Sequence, residues 1–409
     1  MGSFLAWLDY SEGRRRQMLD VIDAFRLKDS RDELGLGGIR DALAELLFPG
    51  TSTIQTRARY FLFIPWIYQS LLQKRVEGSE IVLSARKAEV ALIKALVDSG
   101  EKDGVIGIEK RERLKRLPSN VYWLGLETWG IRRLHASQTD FHRIWKRIVA
   151  ADDAERNDDG ERLIGSLTSP WHAKLPSPPT GFPSKATLAL TREEAQFLRD
   201  QVLTIHPRTL LAFLLDRAKP WKPIAFPWQH PAAADAPAHA REVLAQARVF
   251  SEVMHGAAIL YNLMLAEKTR MDGKEGDSEK DLTADYREML REWSTAKDRA
   301  PIPAGWPDER FWDLARLTNP NISPRARAFV LEWTKHTQNV RAGAVPDGPA
   351  ARKLVSDREL AVKGQKKARL HDASALALWN GAAGLGQMDF RWGRTQRISL
   401  DIIEGIARA

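Results

Sequence analysis

One stretch of the 409-residue sequence reads Phe48-Pro-Gly-Thr-Ser-Thr-Ile-Gln-Thr-Arg-Ala-Arg-Tyr-Phe-Leu-Phe-Ile-Pro-Trp66. Its proline and glycine stop a preceding helix, and Thr51 or Ser52 is suited to cap the next one by accepting a free backbone N–H. The aromatic and aliphatic residues that follow are dense enough to enter a core. The stretch therefore predicts the central helix of an all-α, mainly helical protein. Pro65 should kink or end that helix.

The start of this predicted helix is a candidate anion site. Ser52, Gln55 and Arg59 fall at i, i+3 and i+7, so they share one helix face. Free N–H groups, the positive end of the helix dipole and nearby arginines suit a phosphate or a carboxylate. The candidate anion-binding residues are Thr51, Ser52, Gln55, Arg57 and Arg59. The alternative is that Gln55, Arg57 and Arg59 bind carboxylates or carbonyls of packed neighbours.

The composition is that of a globular protein with an excess of positive charge. Hydrophobic residues make up 44% and charged residues 28% of the chain, and the formal net charge of +9 favours polyanions such as nucleic acid. The absence of cysteine excludes disulfides and thiolate metal sites. No apolar run reaches the length of a membrane span, and no charged leader precedes a long apolar core. We therefore expect a cytoplasmic protein with no membrane contact and no cofactor.

Helical periodicity continues through most of the chain. Apolar residues at helical spacing predict helices in several segments, among them 11–25, 86–97, 191–203 and 238–268. Thr191-Arg-Glu-Glu194 is a capping box that opens the third of these. Residues 151–184 are first acidic and then rich in proline, which indicates an exposed linker. We expect two helical domains, a basic one at 1–150 and a C-terminal one at 185–409.

The most basic part of the chain lies between Lys110 and Arg147, with ten Lys or Arg residues against three acidic ones. Short helices at 108–117 and 121–128, with tight turns between them, favour a unit like a helix-turn-helix or winged helix. Its bases would neutralise phosphates, and hydroxyl or amide groups would hydrogen-bond them. The candidate nucleic-acid-binding residues here are Lys110, Arg111, Arg113, Lys115, Arg116, Ser119, Asn120, Arg132 and Arg133. The alternative is that the interleaved aromatic residues form a core and the arginines a solvated face.

Two further basic segments follow towards the end of the sequence. Residues 352–369 contain seven bases and two acids, and the Gly364-Gln-Lys-Lys run has the composition of a phosphate-contacting loop. Arginines recur every three residues from Arg391 to Arg397 at the start of a predicted helix, so they should project together. The candidates from these segments are Lys363, Lys366, Lys367, Arg391 and Arg394. A solvated loop explains the first segment equally well.

No catalytic motif is recognisable in the sequence. It contains no Walker lysine, no His-Glu-x-x-His zinc motif and no Gly-x-Ser-x-Gly nucleophile turn. His135 and His142 lie seven residues apart, but no further ligand completes a metal site. We therefore assign no catalytic residue and no metal ligand, and whether the protein is an enzyme stays uncertain.

Three motifs carry a resemblance to a family of uncharacterised prokaryotic proteins. They are the Phe48–Trp66 stretch quoted above, Phe4-x-x-Trp-Leu-Asp-Tyr10, and Lys115-Arg-Leu-Pro-Ser-x-x-Tyr-Trp123. The resemblance brings no catalytic residue with it. Members of such families often lie beside genes for helicases or phospholipase-D-like nucleases in antiphage loci. It thus implies an accessory role in bacterial antiviral defence, with a protein of one of these classes as partner.

Our leading hypothesis is a nucleic-acid-binding accessory protein, with DNA as the expected partner. The alternatives are a helical scaffold or adaptor without nucleic-acid contact, and a small-anion sensor or enzyme. The leading hypothesis requires that bases distant in sequence converge on one concave strip. Bases that are dispersed, each paired with its own carboxylate, would favour the adaptor.

Overall fold

The computed structural model describes residues 32–110, 113–154, 169–271, 282–338 and 347–408. The predicted helix at 11–25, the motif at 4–10 and the candidate residue Arg111 lie outside these ranges. The same is true of residues 155–168, which include much of the predicted linker.

The described residues form fifteen α-helices and no β-strand, so the predicted all-α fold is confirmed. An isolated antiparallel bridge joins Arg132 and Trp171. In chain order the helices are α1 (Gly37–Leu47), α2 (Tyr60–Gln73), α3 (Ile81–Asp98), α4 (Pro118–Thr128), α5 (Gln138–Arg143), α6 (Trp145–Ala154), α7 (Arg192–Ile205), α8 (Leu210–Arg217), α9 (Ala238–Met271), α10 (Leu282–Thr295), α11 (Glu309–Thr318), α12 (Pro324–Gln338), α13 (Pro349–Lys363), α14 (Ala373–Leu376) and α15 (Trp392–Ala407).

The chain divides into two compact units, and each combines segments that are distant in sequence. One contains Met1–Leu43 and Val243–Phe390, and we call it the 243–390 unit. The other contains Ala44–Glu242 and Arg391–Ala409, and we call it the 44–242 unit. The groove and the cavity described below as a candidate interface both lie in the 44–242 unit.

Helix α2 is the centre of the 44–242 unit. Its residues from Tyr60 to Tyr68 are buried without a break, and α3 and α4 both pack on it. The Phe61 ring stacks on Trp129 with centroids 3.9 Å apart. Full burial of such side chains contributes roughly 1.5–3 kcal/mol each, which outweighs the hydrogen bond that a proline removes. The helix therefore continues through Pro65 to Gln73 and does not end at the proline.

Helix α2 also begins later than the sequence predicts. Thr51 and Ser52 do not cap it, because the helix starts at Tyr60 and residues 51–59 are irregular. Side chains from elsewhere satisfy the backbone of this segment: Tyr122 Oη accepts from Thr56 N at 2.8 Å and from Arg57 N at 3.0 Å. The segment is thus fixed by tertiary hydrogen bonds instead of helical ones.

Helix α15 packs against α7 and α8 in the same unit. The predicted capping box of α7 is confirmed, since Thr191 Oγ1 accepts from Glu194 N at 3.3 Å and Glu194 Oε2 accepts from Thr191 N at 3.0 Å. The helices approach closely at Gly405, where a Cβ would lie 2.7 Å from the Ala195 Cβ. Any larger residue at Gly405 would push them apart.

Helix α9 supplies much of the core of the 243–390 unit. Trp293 Nε1 donates to Glu252 O at 2.7 Å, and its ring lies so close to Gly256 that a Cβ there would be 2.4 Å away. Residues Ala238–Arg270 are long and apolar enough to cross a membrane, but 83% of their most apolar stretch is buried inside the protein. That burial is consistent with a core helix of a soluble protein.

Part of the basic segment at 352–369 is helical, which the sequence analysis did not predict. Helix α13 begins with Pro349 at its first position and ends at Lys363, followed by Gly364 with a φ of +72°. Proline is tolerated there because the first helical N–H has no intrahelical partner. Only Gln365–Lys367 form the short exposed turn that resembles the predicted loop.

Candidate nucleic-acid interface

Helix α3 has one apolar face and one basic face. Ile81, Leu92 and Leu96 are buried on the side that meets α2. The opposite side follows the spacing i, i+4, i+7, i+8 and i+11, and its residues are exposed or half-buried: Leu83, Lys87, Val90, Ala91 and Lys94. Lys87 and Lys94 therefore lie on one stripe of the helix that faces away from the core.

The loop after α3 brings two more bases to this stripe. Gly104 and Gly107 have φ values of +83° and +85°, a backbone region that glycine adopts without strain. A Cβ on Gly107 would lie 2.5 Å from Leu114 Cδ2, so a larger residue would have to displace that side chain. Arg86 Nη2 then ties the loop to α3 by donating to Leu114 O at 3.0 Å. This geometry holds the following residues of the loop beside the helix.

The stripe and the loop together enclose a concave groove of 1120 Å³, which we call the basic groove. It is lined by Leu83, Arg86, Lys87, Val90, Ala91, Lys94, Glu109, Lys110 and Arg113. Five of these side chains are basic and one is acidic. Within the described part of the chain, Lys87, Lys94, Lys110 and Arg113 form no ion pair, and all four are exposed. Their positive charge is therefore available to a ligand.

A second cavity, of 510 Å³, lies along the first turns of α3, and we call it the polar cavity. It is lined by Gly78, Ile81, Val82, Ala85, Arg86, Glu89, Leu117, Asn120, Gln138, Thr139, His142 and Arg143. Arg86 lines both the basic groove and the polar cavity. The two depressions are thus neighbours on one surface of the 44–242 unit.

Glu89 is the most deeply buried polar group of the polar cavity, with 1% of its surface exposed. Ser119, near the start of α4, donates to it twice, from its backbone N to Oε2 at 2.8 Å and from Oγ to Oε1 at 2.7 Å. Burial raises the pKa of Glu89 to about 7, although the bonds from Ser119 and the charge of Arg86 oppose the shift. The cavity therefore holds a carboxyl group that changes its protonation state near neutral pH.

Amide and ring groups complete the wall of the polar cavity. Gln138 Nε2 donates to Ser119 Oγ at 2.8 Å and to Tyr68 Oη at 3.0 Å. Its Oε1 accepts from Asn120 Nδ2 at 2.5 Å, and His142 Nε2 lies 2.7 Å from Tyr68 Oη. Burial lowers the pKa of His142, which keeps the imidazole neutral at pH 7. This network fixes the orientation of the side chains before any ligand binds.

The predicted bases of the 110–147 region have different environments in the structure. Lys110 and Arg113 line the basic groove, and Lys115 and Arg116 are exposed in the loop that follows. The described residues of 108–117 contain no α-helix, so the prediction of a first helix for a helix-turn-helix unit is wrong. The positive φ values of the loop glycines and the Arg86 tie explain why this segment is a loop.

Three more candidates from this region make hydrogen bonds or ion pairs within the protein. Ser119 is fully buried against Glu89, while Asn120 is exposed but accepts from Leu117 N and donates to Gln138.

Arg132 is 1% exposed; it is paired with Glu127 and lies 4.8 Å from the Trp123 ring centroid. These contacts agree with the alternative of an aromatic core for that part of the segment. Arg133, next along the chain, is exposed.

The arginines of the predicted anion site are paired with carboxylates of the protein. Arg57 Nε donates to Asp401 Oδ2 at 2.9 Å, and Arg59 Nη2 donates to Glu194 Oε1 at 2.6 Å. A second bond from Arg59, through Nη1, reaches Thr187 O at 2.9 Å. These contacts match the alternative in which the arginines satisfy packed neighbours.

The polar residues of that predicted site are also engaged within the turn. Gln55 Nε2 donates to Gly50 O at 3.1 Å, and its Oε1 accepts from Ser52 N at 3.1 Å. Thr51 Oγ1 donates to Phe48 O at 2.7 Å. Gln55 therefore closes a side-chain-stabilised turn, and the helix N-terminus that the anion site required is absent from this segment.

The candidates near the end of the sequence are divided between the two units. Lys363 pairs with Glu33 and Glu359, while Lys366 and Lys367 are exposed, all three in the 243–390 unit. In the 44–242 unit, Arg391 pairs with Glu45 at 2.8 Å and Arg394 is exposed. Arg391 has a φ of +69° and precedes α15, so it does not project with Arg394 as predicted.

Within the described ranges, no group of three or more His, Asp or Glu side chains is placed to hold a metal ion. Comparison with known families gives one assignment: the sequence model of a family of unknown function, DUF6361, matches residues 2–404. The chain belongs to this family. No curated protein and no solved structure matches it. The resemblance to an uncharacterised family is thus confirmed at that level.

Sequence reasoning missed three of the five bases that line the basic groove of this DUF6361 chain. Arg86, Lys87 and Lys94 belong to a helix that was analysed only for its apolar side. The available signal was the seven-residue spacing of Lys87 and Lys94, which places two unpaired lysines on one outward face.

Proposed function

We propose that this protein binds nucleic acid, with DNA as the expected partner, through the basic groove. The observation that carries the proposal is the convergence of Lys87, Lys94, Lys110 and Arg113 on one concave surface, with no ion pair among the described residues. Unpaired lysines and arginines neutralise phosphates and release counterions, which is the main source of affinity for a sugar-phosphate strand.

The shape and lining of the groove favour a strand over a small anion. Its volume of 1120 Å³ is larger than that of most small-molecule sites, which run from about 300 to 1,000 Å³. Its bases are distributed along the helix and the loop, while Leu83, Val90 and Ala91 lie between the charges. Such apolar groups suit the sugars of a strand whose phosphates meet the cations.

The proposed role is that of an accessory protein. In this proposal the groove holds the strand, and a helicase or a phospholipase-D-like nuclease in the bacterial cytoplasm carries out the chemistry. The support for this part is the resemblance of the motifs to antiphage-associated proteins. We expect the full chain to co-purify with a partner of either class from its native host. The groove substitutions below should reduce this co-purification.

The decisive experiment compares two doubly substituted chains that carry the same net charge. Lys87→Gln/Lys94→Gln removes two charges from the groove, and Lys174→Gln/Lys185→Gln removes two exposed charges elsewhere in the 44–242 unit. Binding of labelled single-stranded and duplex DNA is measured between about 50 and 200 mM salt. The groove variant should lose affinity, and its log–log salt slope should be shallower by about 1.4 for a single strand, or about 1.8 for a duplex.

The control variant should bind as the unsubstituted protein does. Equal losses in both variants would mean that only overall charge matters, and the groove would not be the site. If the unsubstituted protein binds neither form of DNA nor RNA at low salt, the proposal is wrong.

A scaffold or adaptor role is the second candidate, favoured by the apolar side chains on the surface of the same unit. Val82, Leu83 and Leu124 have exposed fractions of 61%, 54% and 70%. Exposed apolar groups of this size are common docking contacts for partner proteins. A stable complex that survives nuclease treatment and the groove substitutions, but not Leu124→Asp, would favour the adaptor.

A further inference from the structure

The polar cavity differs from the basic groove in chemistry, although the two meet at Arg86. Its apolar residues include Ile81, Ala85 and Leu117. Its polar residues are mainly carboxyl, amide, hydroxyl and imidazole groups; two arginines also line it, Arg86 and Arg143, and Arg143 is paired with Asp140. A surface with several hydrogen-bonding groups of both kinds and apolar walls suits a flat heteroaromatic ligand better than a phosphate.

The hydrogen-bonding capacity left in the cavity is mixed. Glu89 Oε1 and Oε2 each accept one bond from Ser119 and keep a second lone pair. Asn120 Nδ2 has one hydrogen beyond the one given to Gln138, and Thr139 adds an exposed hydroxyl. Side-by-side donors and acceptors are what the Watson–Crick edge of an unpaired base presents.

The cavity also has a flat ring and a suitable size. The His142 imidazole stacks at 27° against the Tyr68 ring, which fixes its plane. A volume of 510 Å³ falls within the range of about 300–1,000 Å³ that holds small organic ligands. A base that enters the cavity can therefore contact a fixed ring while its polar edge meets the carboxyl and amide groups.

We propose that the polar cavity receives one unpaired nucleobase from a single strand whose backbone lies in the basic groove. This inference rests on the proposed function, because it takes the strand to be held by Lys87, Lys94, Lys110 and Arg113. The path between the two sites is short, since Arg86 lines both and sits where the base leaves the backbone. The protein would then select single strands over duplexes, because a paired base cannot enter the cavity.

The test uses two strands of about 16 nucleotides, the length that single-strand sites cover. One is an ordinary mixed-sequence DNA strand, and the other has the same sugar-phosphate backbone with an abasic residue at every position. The protein variants are Thr139→Trp, which blocks the cavity from an exposed position, and Leu124→Trp, an exposed substitution outside both cavities. Circular dichroism and thermal unfolding establish that both variants fold.

The unsubstituted protein should bind the ordinary strand about tenfold more tightly than the abasic strand, as expected for one captured base. Thr139→Trp should remove that tenfold advantage and leave the affinity for the abasic strand unchanged. Leu124→Trp should change neither affinity.

The outcomes separate this inference from the proposed function. Equal binding of the two strands by the unsubstituted protein overturns the base pocket while the groove stands. A tenfold difference that persists in Thr139→Trp also overturns it, because the base would be read elsewhere. Absence of binding to both strands also overturns the base pocket, and it removes the proposed function itself when duplex DNA and RNA fail to bind as well.

Discussion

Arg57 and Asp401 form a bidentate ion pair although 344 residues separate them in the sequence. The Asp401 side chain is 2% exposed and that of Arg57 is 12% exposed, so the pair is shielded from water. Asp401 also accepts from Ala58 N at 2.9 Å and from Arg397 at 2.6 Å. One carboxylate thus fixes the irregular segment before α2 to the last helix of the same unit.

The Asp401→Asn substitution is expected to destabilise the protein strongly. It leaves a buried guanidinium without its counter-ion, which typically costs about 3–5 kcal/mol. The matched control is Asp153→Asn, which breaks an exposed pair with Arg75 and should cost less than about 1 kcal/mol. Urea unfolding of the two variants measures the difference, and similar losses in both would contradict this account of the pair.

The Tyr122→Phe substitution should show how much the irregular segment depends on one hydroxyl. Its removal leaves Thr56 N and Arg57 N without their acceptor, and we expect a loss of about 2 kcal/mol in unfolding free energy. Tyr286→Phe removes one bond to Gly381 O in the other unit and should cost about 1 kcal/mol. Equal effects in urea unfolding would mean that water replaces the Tyr122 hydroxyl.

The pH dependence of stability should change in Glu89→Gln. Burial raises the pKa of the folded Glu89 to about 7 from 4.5, so folding favours the protonated form. The native state then holds a proton that the unfolded chain releases, and stability falls as pH rises through this window and stays lower above it. The variant lacks this titration.

Relative to the unsubstituted protein, Glu89→Gln should therefore gain roughly 3 kcal/mol between about pH 4 and pH 8. Denaturant unfolding at both pH values provides the measurement. A stability difference that does not vary with pH would show that folding leaves the pKa of Glu89 unchanged.

Gly107→Ala and Gly100→Ala separate backbone strain from steric exclusion. Both glycines have a φ of +85°, so either substitution should cost about 1 kcal/mol in a left-handed conformation. Only at Gly107 does the new Cβ meet another atom, Leu114 Cδ2, at 2.5 Å. Gly107→Ala should therefore cost more stability and weaken DNA binding by displacing the loop that carries Arg113, whereas Gly100→Ala should leave binding unchanged. Thermal unfolding and a titration with DNA measure the stability and the affinity of each variant. Equal losses of stability and of DNA affinity in the two variants would disprove the role of this loop.

Periodicity was sufficient to predict the all-α fold and most helices after residue 185. The Thr191 capping box was predictable because its two partners are three residues apart. The start of α2 was not, because Asp401 and Tyr122, which hold residues 51–59, come from distant parts of the chain. Helix α13 was not predicted because its many charged residues indicated a loop, although the exposed side of a helix is normally charged.

The candidate interface was predictable only in part. Local charge density located Lys110 and Arg113, since that signal is linear in sequence. It could not show that Arg59 is neutralised by Glu194, 135 residues further along, because pairing is decided by the fold. The polar cavity gave no sequence signal, since Glu89 looks like any acidic residue of an amphipathic helix until its burial is known.

The position of α15 has a consequence for synthesis of the protein. Residues 391–408 are translated after the entire 243–390 segment, yet they pack in the unit that begins at Ala44. A ribosome that stalls anywhere before codon 401 releases a polypeptide in which Arg57 and the Ala58 amide have lost their acceptor. The nascent 44–242 segment therefore cannot complete its folding until the last helix emerges from the ribosome. Until then it stays accessible to chaperones and proteases.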